Sequence, residues 1–359
     1  MRIIIAAGGT GGHIFPALSV AQEMKRQCPD VSLLWIGTSR SREKEVCEKN
    51  SIPLQLTQVT GMKRSLSPAA VAAVLRFCRE VLRMRAQFRA NRPDAVVAFG
   101  GYVSAPVCAA AVLARVPLYL QEQNTVPGVV TRIFASRARC IFLGLPLADG
   151  QRLRGTTTVT GTPVRVASRD YDAFAYPDGL DRGKKMVLIC GGSQGALSMN
   201  RCLIEPVKTW LAAGTQVVWQ TGEAGFTEVR DALKQLPGAF VFETIDDPYP
   251  FYATARVLVG RSGASSMAEA AYFGLPCVLI PLPWATENHQ WKNAGWAEAQ
   301  GWAVRVAQAD NTATTVAASV ARILDDQKTW ERMGGKAIDH APSSAASDIV
   351  SRIVGDARA

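Results

Sequence analysis

The chain carries the same short pattern twice, once at its start and once near its middle. The apolar run Ile3–Ala7 leads into GGTGGH at 8–13, and the apolar run Met186–Cys190 leads into GGSQGA at 191–196. Each is a strand-like segment followed by a glycine-rich turn and the start of a helix, which is how a βαβ unit opens. The repeat predicts two α/β domains of similar size.

The rest of the 359 residues alternates in the same way between short apolar runs and helical patterns. The predicted strands are Ile3–Ala7, Leu33–Ile36, Ala95–Phe99, Leu118–Leu120, Val187–Cys190, Gln216–Gln220, Val257–Val259 and Cys277–Ile280, and the predicted helices include Pro16–Cys28 and Ala264–Phe273. This order favours parallel sheets with helices on both faces. The fold class is therefore α/β, with two Rossmann-like domains that bind ligands beyond the carboxyl ends of their strands.

The length and composition of the chain suit two such domains. We place the first at 1–163 and the second at 164–340, with the polar segment Thr162–Lys185 as the linker. The remaining 341–359 forms a C-terminal helix that can cross back to the first domain. Apolar residues make up 48% of the chain and charged residues 19%, which supplies packed cores and excludes a disordered protein.

One uncharged stretch, Ala95–Ala114, has the length of a membrane-spanning helix. Gly100, Gly101 and Pro106 interrupt it, so we interpret it as a buried strand, a turn and a buried helix.

The glycine-rich turns indicate a phosphate-bearing ligand, because such turns let backbone amides at a helix start approach an anion. GGTGGH does not fit the G-x-G-x-x-G pattern of dinucleotide sites, and the second strand is followed by Arg40 and Arg42 where a NAD site has an acidic residue. The chain also has no G-x-x-x-x-G-K-[ST] segment. Nicotinamide chemistry and ATP hydrolysis are both disfavoured.

A third turn lies in the second half, within RSGASSMAEAAYFGLP at 261–276. Glu269 falls in the first turns of the helix that follows. Its carboxylate either accepts hydrogen bonds from a ribose diol or complements the helix dipole. The residue chemistry alone leaves both interpretations open.

The ordered set of motifs resembles the MurG family of bacterial cell-wall glycosyltransferases. The set comprises GGTGGHIFPALSVAQ, FGGYVSAP, QEQN, GTPVR, GGSQGA, RSGASSMAEAAYFGLP and ENHQWKNA, and it spans about the first 300 residues. The resemblance implies a GT-B fold, two Rossmann-like parallel-sheet domains facing across a cleft. It also implies inverting transfer of N-acetylglucosamine (GlcNAc) from UDP-GlcNAc to lipid I, which gives lipid II for peptidoglycan synthesis, cell shape and division.

The alternatives are another GT-B enzyme, such as a glycolipid glycosyltransferase or a UDP-GlcNAc 2-epimerase, and a non-catalytic sugar-nucleotide-binding scaffold. An epimerase acts on the donor alone and needs no docking face for a lipid acceptor.

The resemblance also assigns substrate-binding residues by motif. The first turn would face the donor diphosphate and the acceptor, Asn124 and Arg165 would contact the donor from the interdomain side, and Ser193 would hold the diphosphate. The uridine would be surrounded by Ile245 and the run 264–269, with Glu269 on the ribose, and Gln290 would bind the sugar hydroxyls. In full, the substrate-binding set is Thr10, Gly11, Gly12, Asn124, Arg165, Ser193, Ile245, Ala264, Ser265, Ser266, Met267, Ala268, Glu269 and Gln290. The family often has HEQN where this chain has QEQN at 121–124.

The inverting reaction needs a base, and His13 is the first candidate because an imidazole suits proton transfer near neutral pH. The other interpretation is that His13 caps the helix or bonds a backbone carbonyl. Glu122 is the second candidate base. No metal or cofactor is expected, since the one D-x-D match, Asp170-Tyr171-Asp172, lies in the predicted linker.

The net charge of +10 is unevenly distributed, with +13 in residues 1–168 and −3 in 169–359. Between Met62 and Arg92 there are eight basic residues and one acid, together with apolar residues at helical spacing. Such a helix either packs its apolar face on the core or lies on an anionic membrane. Because no nucleic-acid-binding signature is present, we expect a membrane contact and no nucleic acid.

The cysteines bear on the compartment. Eight occur with no C-x-x-C pair, which is typical of the reducing cytoplasm, and the N-terminus has no signal-peptide pattern. We therefore expect a peripheral protein on the cytoplasmic face of the cell membrane. The expected partners are UDP-GlcNAc, an undecaprenyl-diphosphate-linked muramyl peptide, the anionic membrane surface, and other cell-wall synthesis or division proteins.

Overall fold

The structure is a computed structural model that describes residues 1–38, 43–57, 59, 68–165, 171, 174–191, 196–309 and 312–358, with the backbone only for 68–70. It divides the chain into two compact units. The first consists of Met1–Arg165 with Pro342–Ala359, and the second is Val166–Ala341. Arg40, Arg42, Lys63, Arg64, Asp170, Asp172 and Ser193 lie outside the described residues.

The first unit contains a seven-stranded parallel sheet. Its strands are β1 (Arg2–Ala6), β2 (Ser32–Gly37), β3 (Leu54–Leu56), β4 (Ala95–Ala98), β5 (Leu118–Glu122), β6 (Cys140–Leu143) and β7 (Thr157–Val159). Its helices are α1 (Gly11–Gln27), α2 (Glu43–Lys49), α3 (Pro68–Asn91), α4 (Gly101–Ala114) and α5 (Val129–Phe134). The strand order is β3-β2-β1-β4-β5-β6-β7, and every neighbouring pair is parallel.

The second unit contains a six-stranded parallel sheet. Its strands are β8 (Met186–Cys190), β9 (Gln216–Gln220), β10 (Ala239–Phe242), β11 (Val257–Gly260), β12 (Cys277–Leu279) and β13 (Ala303–Arg305). Its helices are α6 (Leu197–Ala212), α7 (Glu223–Leu233), α8 (Tyr249–Thr254), α9 (Ala264–Tyr272), α10 (His289–Ala299), α11 (Thr312–Asp325) and α12 (Gln327–Asp339). The order is β10-β9-β8-β11-β12-β13, again all parallel.

The final helix, α13 (Ala345–Arg358), belongs to the first unit, where it packs against α1. Ile349, Val350 and Ile353 of α13 are fully buried in the core of that unit. Near its end, Asp356 accepts a 2.8 Å hydrogen bond from the Tyr119 hydroxyl. These contacts hold the last helix against the first unit, although the last strand of that unit ends some two hundred residues earlier in the sequence.

The two sheets share one topology, because each starts at its centre, runs outward on one side and then crosses to the other. The order reverses between β1 and β4 and again between β8 and β11, and in open α/β sheets a ligand binds beyond the strand ends at such a point. The central strands are short, largely apolar runs that are buried on both faces, as expected for parallel sheets. The topology therefore places GGTGGH and FGG together in one unit, and Gly191 and the RSG turn together in the other.

The predicted strands form within one or two residues of their predicted ends. Ala95–Ala114 forms β4, a turn at Gly100 and α4, and none of the described helices is both long enough and apolar enough to cross a bilayer. One helix boundary was wrong. Helix α1 begins at Gly11 rather than Pro16, because the extended backbone of Thr10 ends the turn there and the proline is accommodated inside the helix.

Candidate active site

The first candidate site lies where the strand order of the first sheet reverses. Gly9 follows β1 with φ of +94°, and Gly100 and Gly101 follow β4 with φ of +91° and +74°, a conformation that side chains disfavour. The ring of His13 packs on the second turn, since a Cβ atom built on Gly100 or Gly101 would lie 3.4 Å from it. The imidazole of His13, which follows the first glycine-rich turn, therefore packs against the second.

His13 is half-buried in the first turn of α1, where its backbone amide donates to Thr10 O at 3.0 Å. Its Nδ1 lies 3.3 Å from the Thr10 hydroxyl oxygen, and the imidazole hydrogen-bonds the backbone of Gly8. Desolvation lowers the pKa of His13 from 6.5 to about 4, against the opposing effect of the Gly8 bond. The ring is therefore neutral at physiological pH.

The remaining residues of the GGTGG turn surround the start of α1. Thr10 is exposed and is the residue before the helix, while Gly11 and Gly12 are half-buried in its first turn. The Thr10 side chain makes no capping hydrogen bond to the helix backbone. Its hydroxyl instead faces His13, so the structure brings the predicted Thr10, Gly11, Gly12 and His13 together.

A buried carboxylate that the sequence did not predict hydrogen-bonds to this turn. Glu43, the first residue of α2, is fully buried and accepts hydrogen bonds from Gly9 N at 3.0 Å, from Thr38 Oγ1 at 3.2 Å and from Thr38 N. A Cβ atom on Gly8 would lie 2.5 Å from the carboxylate, so only glycine fits there. The available signal was an acidic residue at a helix start, six residues after Gly37 ends β2.

The QEQN motif ends β5, which neighbours β4 in the sheet. Glu122 is buried, and its carboxylate accepts from Asn124 N at 3.1 Å, Gly128 N at 2.8 Å and Thr131 Oγ1 at 2.7 Å. It also accepts from the Asn124 amide at 3.4 Å. Glu122 thereby organises the loop that presents the half-buried Asn124.

The two glutamines of the motif are buried under that loop. Gln123 donates through Nε2 to Phe99 O at 2.9 Å and to Gln121 Oε1 at 2.6 Å, which ties the loop to the FGG turn. Gln121 stands where the family often has histidine, and its own Nε2 is buried without a partner in the described structure. The half-buried Arg165 of GTPVR ends Met1–Arg165, the first of the two chain segments that make up this unit.

The second candidate site lies where the strand order of the second sheet reverses. Gly191 follows β8, and Arg261, Ser262 and Gly263 follow β11 to start α9. The predicted Ser193 lies in the part of the GGSQGA turn outside the described residues. Ile245 is buried in the loop after β10, with its backbone amide 3.4 Å from the side-chain oxygen of Gln220 at the end of β9.

Helix α9 carries the six predicted uridine-site residues in its first two turns. Ala264 and Met267 are buried against the sheet, whereas Ser265, Ser266, Ala268 and Glu269 are half-buried. The buried Tyr252 hydroxyl donates to Glu269 at 3.5 Å. Burial and then the Glu269 charge raise the pKa of the Cys190 thiol to about 12, which places the carboxylate near the end of β8.

Gln290 lies in the first turn of α10 and is linked to the RSG turn. Its backbone oxygen accepts from the Ser262 hydroxyl at 2.8 Å, and its side-chain oxygen accepts from Leu282 N at 2.9 Å. Glu287 and Asn288, just before the helix, have φ of +51° and +55°. Two consecutive non-glycine residues in this region are unusual and indicate a constrained loop. The structure thus brings Gln290 beside the turn that starts α9.

No cluster of histidine, cysteine or acidic side chains suited to a metal ion occurs among the described residues. Asp170 and Asp172 of the D-x-D match lie outside them. The eight cysteines are free thiols.

Helix α3 has two apolar faces. Val81, Met84 and Phe88 are buried against the unit, as in an ordinary surface helix. A second stripe points outward, with Leu75 65% exposed, and it comprises Val71, Val74, Leu75, Cys78 and Leu82. Exposed basic residues flank it, namely Arg76, Arg79, Arg83, Arg89 and Arg92. The core therefore does not account for the outward stripe, which we call the α3 face together with its flanking arginines.

Similarity to known proteins decides the family. Residues 3–143 match the glycosyltransferase family 28 N-terminal domain, and 186–352 match its C-terminal domain. A UDP-N-acetylglucosamine–N-acetylmuramyl-(pentapeptide) pyrophosphoryl-undecaprenol N-acetylglucosamine transferase of Bacillus licheniformis is 36% identical over 338 residues, 93% of this chain and 92% of the relative. The transferase of the same name from Bacillus subtilis is 33% identical, over 98% of each chain. The chain belongs to the MurG group of glycosyltransferase family 28.

Solved structures agree with this MurG membership at the level of the fold. The crystal structure of Acinetobacter baumannii MurG superposes with a TM-score of 0.74 at 24% identity, over 99% of both chains. A putative UDP-N-acetylglucosamine 2-epimerase from Listeria monocytogenes gives the same TM-score at 14% identity, over 98% of this chain and 94% of that one. The predictions of the MurG family, of a GT-B α/β fold with two parallel sheets and of a glycosyltransferase are confirmed.

Proposed function

We propose that this family 28 enzyme transfers GlcNAc from UDP-GlcNAc to the lipid I intermediate and so makes lipid II. The relatives that match nearly the whole chain carry names that state this transfer. The structural observation that carries the proposal is the neutral imidazole of His13, seated on two glycine-rich turns where the first sheet's strand order reverses. That is the group and the position required of a base acting on an acceptor hydroxyl.

In the proposed reaction, His13 takes the proton of the acceptor hydroxyl. The hydroxyl oxygen then forms a bond to the anomeric carbon of GlcNAc, while the bond from that carbon to the β-phosphate oxygen breaks. UDP leaves with the bonding electron pair, and attack from the opposite face inverts the anomeric configuration. The lowered pKa keeps His13 in the neutral form, which is the form that accepts a proton, and it also makes the imidazole a weaker base, so the proton must transfer as the new bond to the anomeric carbon forms.

Glu122 remains the second candidate base, but its surroundings favour another role. Its carboxylate accepts hydrogen bonds from two backbone amides and the Thr131 hydroxyl, which leaves it holding the loop around Asn124. We assign it to positioning Asn124 for donor contact. Arg165 and Ser193 are assigned to the donor by motif alone.

The donor nucleoside is assigned to the second unit. Glu269 would accept hydrogen bonds from the ribose hydroxyls, since it lies beyond the first turn of α9 near the end of β8, with the Tyr252 hydroxyl holding one oxygen. Ile245 and the run 264–268 would enclose the uridine, and Gln290 would bind the sugar. The diphosphate would then lie at the helix starts after β8 and β11, where backbone amides favour an anion.

The α3 face supports a peripheral location on the cytoplasmic side of an anionic membrane, where the acceptor's polyprenyl chain is embedded. Each Lys or Arg near such a surface contributes about 1 kcal/mol, so several hold the protein reversibly. Leu113 on α4, and Val129 and Ile133 on α5, are further exposed apolar side chains of the same unit.

Flotation with vesicles tests the membrane contact. Binding to anionic vesicles should exceed binding to neutral ones and weaken at high salt. Leu75→Glu should reduce it, because the side chain is exposed and its replacement leaves the core intact. Ile338→Glu, a matched exposed position on α12 of the other unit, should not. Equal binding to neutral and anionic vesicles would count against the contact.

The transfer itself is tested with labelled UDP-GlcNAc and a lipid I analogue. Label should enter the lipid, and His13→Ala should lower turnover by more than about tenfold with UDP binding intact. Donor binding without transfer would refute the proposal. A parallel incubation with UDP-GlcNAc alone, analysed for inversion at C2, tests the epimerase alternative.

A further inference from the structure

A buried arginine lies at the donor end of the second sheet. Arg261 follows β11 and is 7% exposed. Its Nη1 donates to Ile280 O at 2.9 Å, Pro281 O at 3.3 Å and Gln308 Oε1 at 2.8 Å. Its guanidinium thereby joins the segments that follow β11, β12 and β13.

The charge of Arg261 has no anionic partner in the part of the chain that the structure describes. Its side-chain bonds go to carbonyl, amide and hydroxyl oxygens, all neutral, and its Nε is buried without a hydrogen-bond partner. Desolvation lowers the pKa of the group, as expected for a cation without a carboxylate. An unpaired buried charge is costly, so its retention at a site calls for an anion that arrives there.

The contacts that Arg261 makes near the carboxyl end of β8 indicate where such an anion would bind. Its backbone amide donates to Cys190 O at 3.4 Å, and its Nη2 donates to Ser198 Oγ at 3.4 Å. Cys190 is the last residue of β8, and Ser198 is in the first turn of α6, so these contacts flank the GGSQGA turn on both sides. The α6 start adds the positive end of its dipole to the same place.

We propose that Arg261 is an electrostatic positioning residue for the donor's diphosphate. Its buried charge makes the potential positive beside Cys190 and Ser198 in the free enzyme, and the nucleoside diphosphate supplies the counter-charge on binding. Arg261 acts through this field and through Ser198, without a direct contact to the ligand. Because departing UDP carries more negative charge on its β-phosphate than the bound donor, the same field favours cleavage. The inference rests on the proposed function in placing the diphosphate at this turn.

If Arg261 acts through its charge, its contribution to binding affinity depends on the charge of the ligand. A purely structural role predicts no such dependence. Calorimetric titration with UDP, UMP and uridine measures it in the full-length enzyme. Arg261→Gln should weaken UDP binding by about tenfold or more, because a buried positive charge near the diphosphate is lost, and uridine binding by less than about twofold. Arg201→Gln removes an exposed arginine of helix α6 that pairs with Glu228 of α7, and it should leave all three affinities unchanged.

A second variant tests the charge without removing the arginine. Gln308→Glu places a carboxylate 2.8 Å from Nη1, where the amide oxygen now accepts, and so gives Arg261 an internal partner. It should raise the melting temperature of the free enzyme and weaken UDP binding relative to uridine. This variant keeps Arg261 and its bonds to Ile280 O, Pro281 O and the side chain at 308, so it remains informative if Arg261→Gln fails to fold.

Three results would overturn the inference: equal losses for UDP and uridine in Arg261→Gln, an unchanged preference for UDP over uridine in Gln308→Glu, or no UDP binding by the wild type. Wild type that binds UDP as expected but transfers no sugar to lipid would refute the proposed function and leave the role of Arg261 standing.

Discussion

Replacing Glu43 with glutamine is the sharpest test of how the first glycine-rich turn is held. The carboxylate is fully buried and accepts from Gly9 N, Thr38 N and Thr38 Oγ1. Glutamine has nearly the same shape, but only one of its terminal atoms accepts hydrogen bonds. If the amide oxygen takes the Oε1 position, the amide nitrogen faces the backbone N–H of Thr38, donor against donor.

The expected cost follows from those contacts. Each hydrogen bond to a charged group contributes about 1.5–3 kcal/mol, and a buried donor left unpaired costs about 1–3 kcal/mol. Of the three bonds named, one is lost and two become neutral, and the side chain is fully buried. We expect Glu43→Gln to lower the free energy of unfolding of the first unit by about 2–4 kcal/mol, a large part of the 5–15 kcal/mol typical of a domain.

Urea titration read out by hydrogen exchange and mass spectrometry measures this cost, because it separates peptides of the first unit from those of the second. Glu48→Gln is the matched control on the same helix, with a side chain 67% exposed and 3.8 Å from Lys44. It should change stability by less than about 0.5 kcal/mol. A loss below about 1 kcal/mol for Glu43→Gln would refute the view that this carboxylate holds the turn.

Three further predictions concern the two sites. Because the pKa of His13 is lowered from 6.5 to about 4, the unfolded chain binds a proton between these pH values that the native state does not. The free energy of unfolding should therefore fall as the pH drops from 6.5 to about 4. Urea titrations at each pH measure this slope, and His13→Asn should remove the part that His13 contributes. Gly101→Ala should lower the transfer rate more than Gly150→Ala, since both glycines have positive φ but only Gly101 contacts the imidazole; equal rates would contradict this. Tyr252→Phe should reduce discrimination between UDP and its 2′-deoxy analogue in binding assays, because the hydroxyl that holds Glu269 is lost; unchanged discrimination would exclude that role.

The fold was predictable because its central strands are apolar on both faces. Ile3–Ala7 and Val187–Cys190 have no polar alternation, so burial between helices is the available solution, and the glycine-rich turns mark their carboxyl ends. The edge strands β3, β7, β10 and β13 and the inner strand β6 were not predicted. The edge strands have three or four residues and are at least partly exposed, so their sequences carry little hydrophobic signal. The buried apolar run Cys140–Leu143 of β6 does carry that signal and was missed.

The site was predictable where one motif contains its own geometry. His13 and the glycines beside it are adjacent in sequence, so a single turn and helix start bring them together. Glu43 and Arg261 were missed as partners of the turns because their contacts join segments far apart in the chain. A buried charge can be recognised only when the burial and the partners of the side chain are known. The segments EKEVCEK and RSGASS do not show that Glu43 and Arg261 are buried or which groups they contact.

The exposed apolar stripe of helix α3 could not be predicted from the sequence either. The spacing of apolar residues predicts which of them share a helical face, but not which face meets the core. Val81, Leu75 and Leu82 all belong to the apolar residues at helical spacing, yet Val81 is buried, whereas Leu75 and Leu82 are exposed. The deciding information lies in α4, which packs against α3 and takes the face that carries Met84 and Phe88.

The two buried charges also distinguish turns that look equivalent in sequence. The first turn rests on the carboxylate of Glu43, whose charge is taken up by amides that an anionic ligand would otherwise use, including Gly9 N. The second lies beside the guanidinium of Arg261, whose charge is unmatched among the described residues. A diphosphate therefore gains more at the second turn, while the first is suited to a neutral hydroxyl beside a neutral imidazole. Opposite buried charges under a repeated topology thus give a physical reason for assigning the donor to the second unit and the proton acceptor to the first.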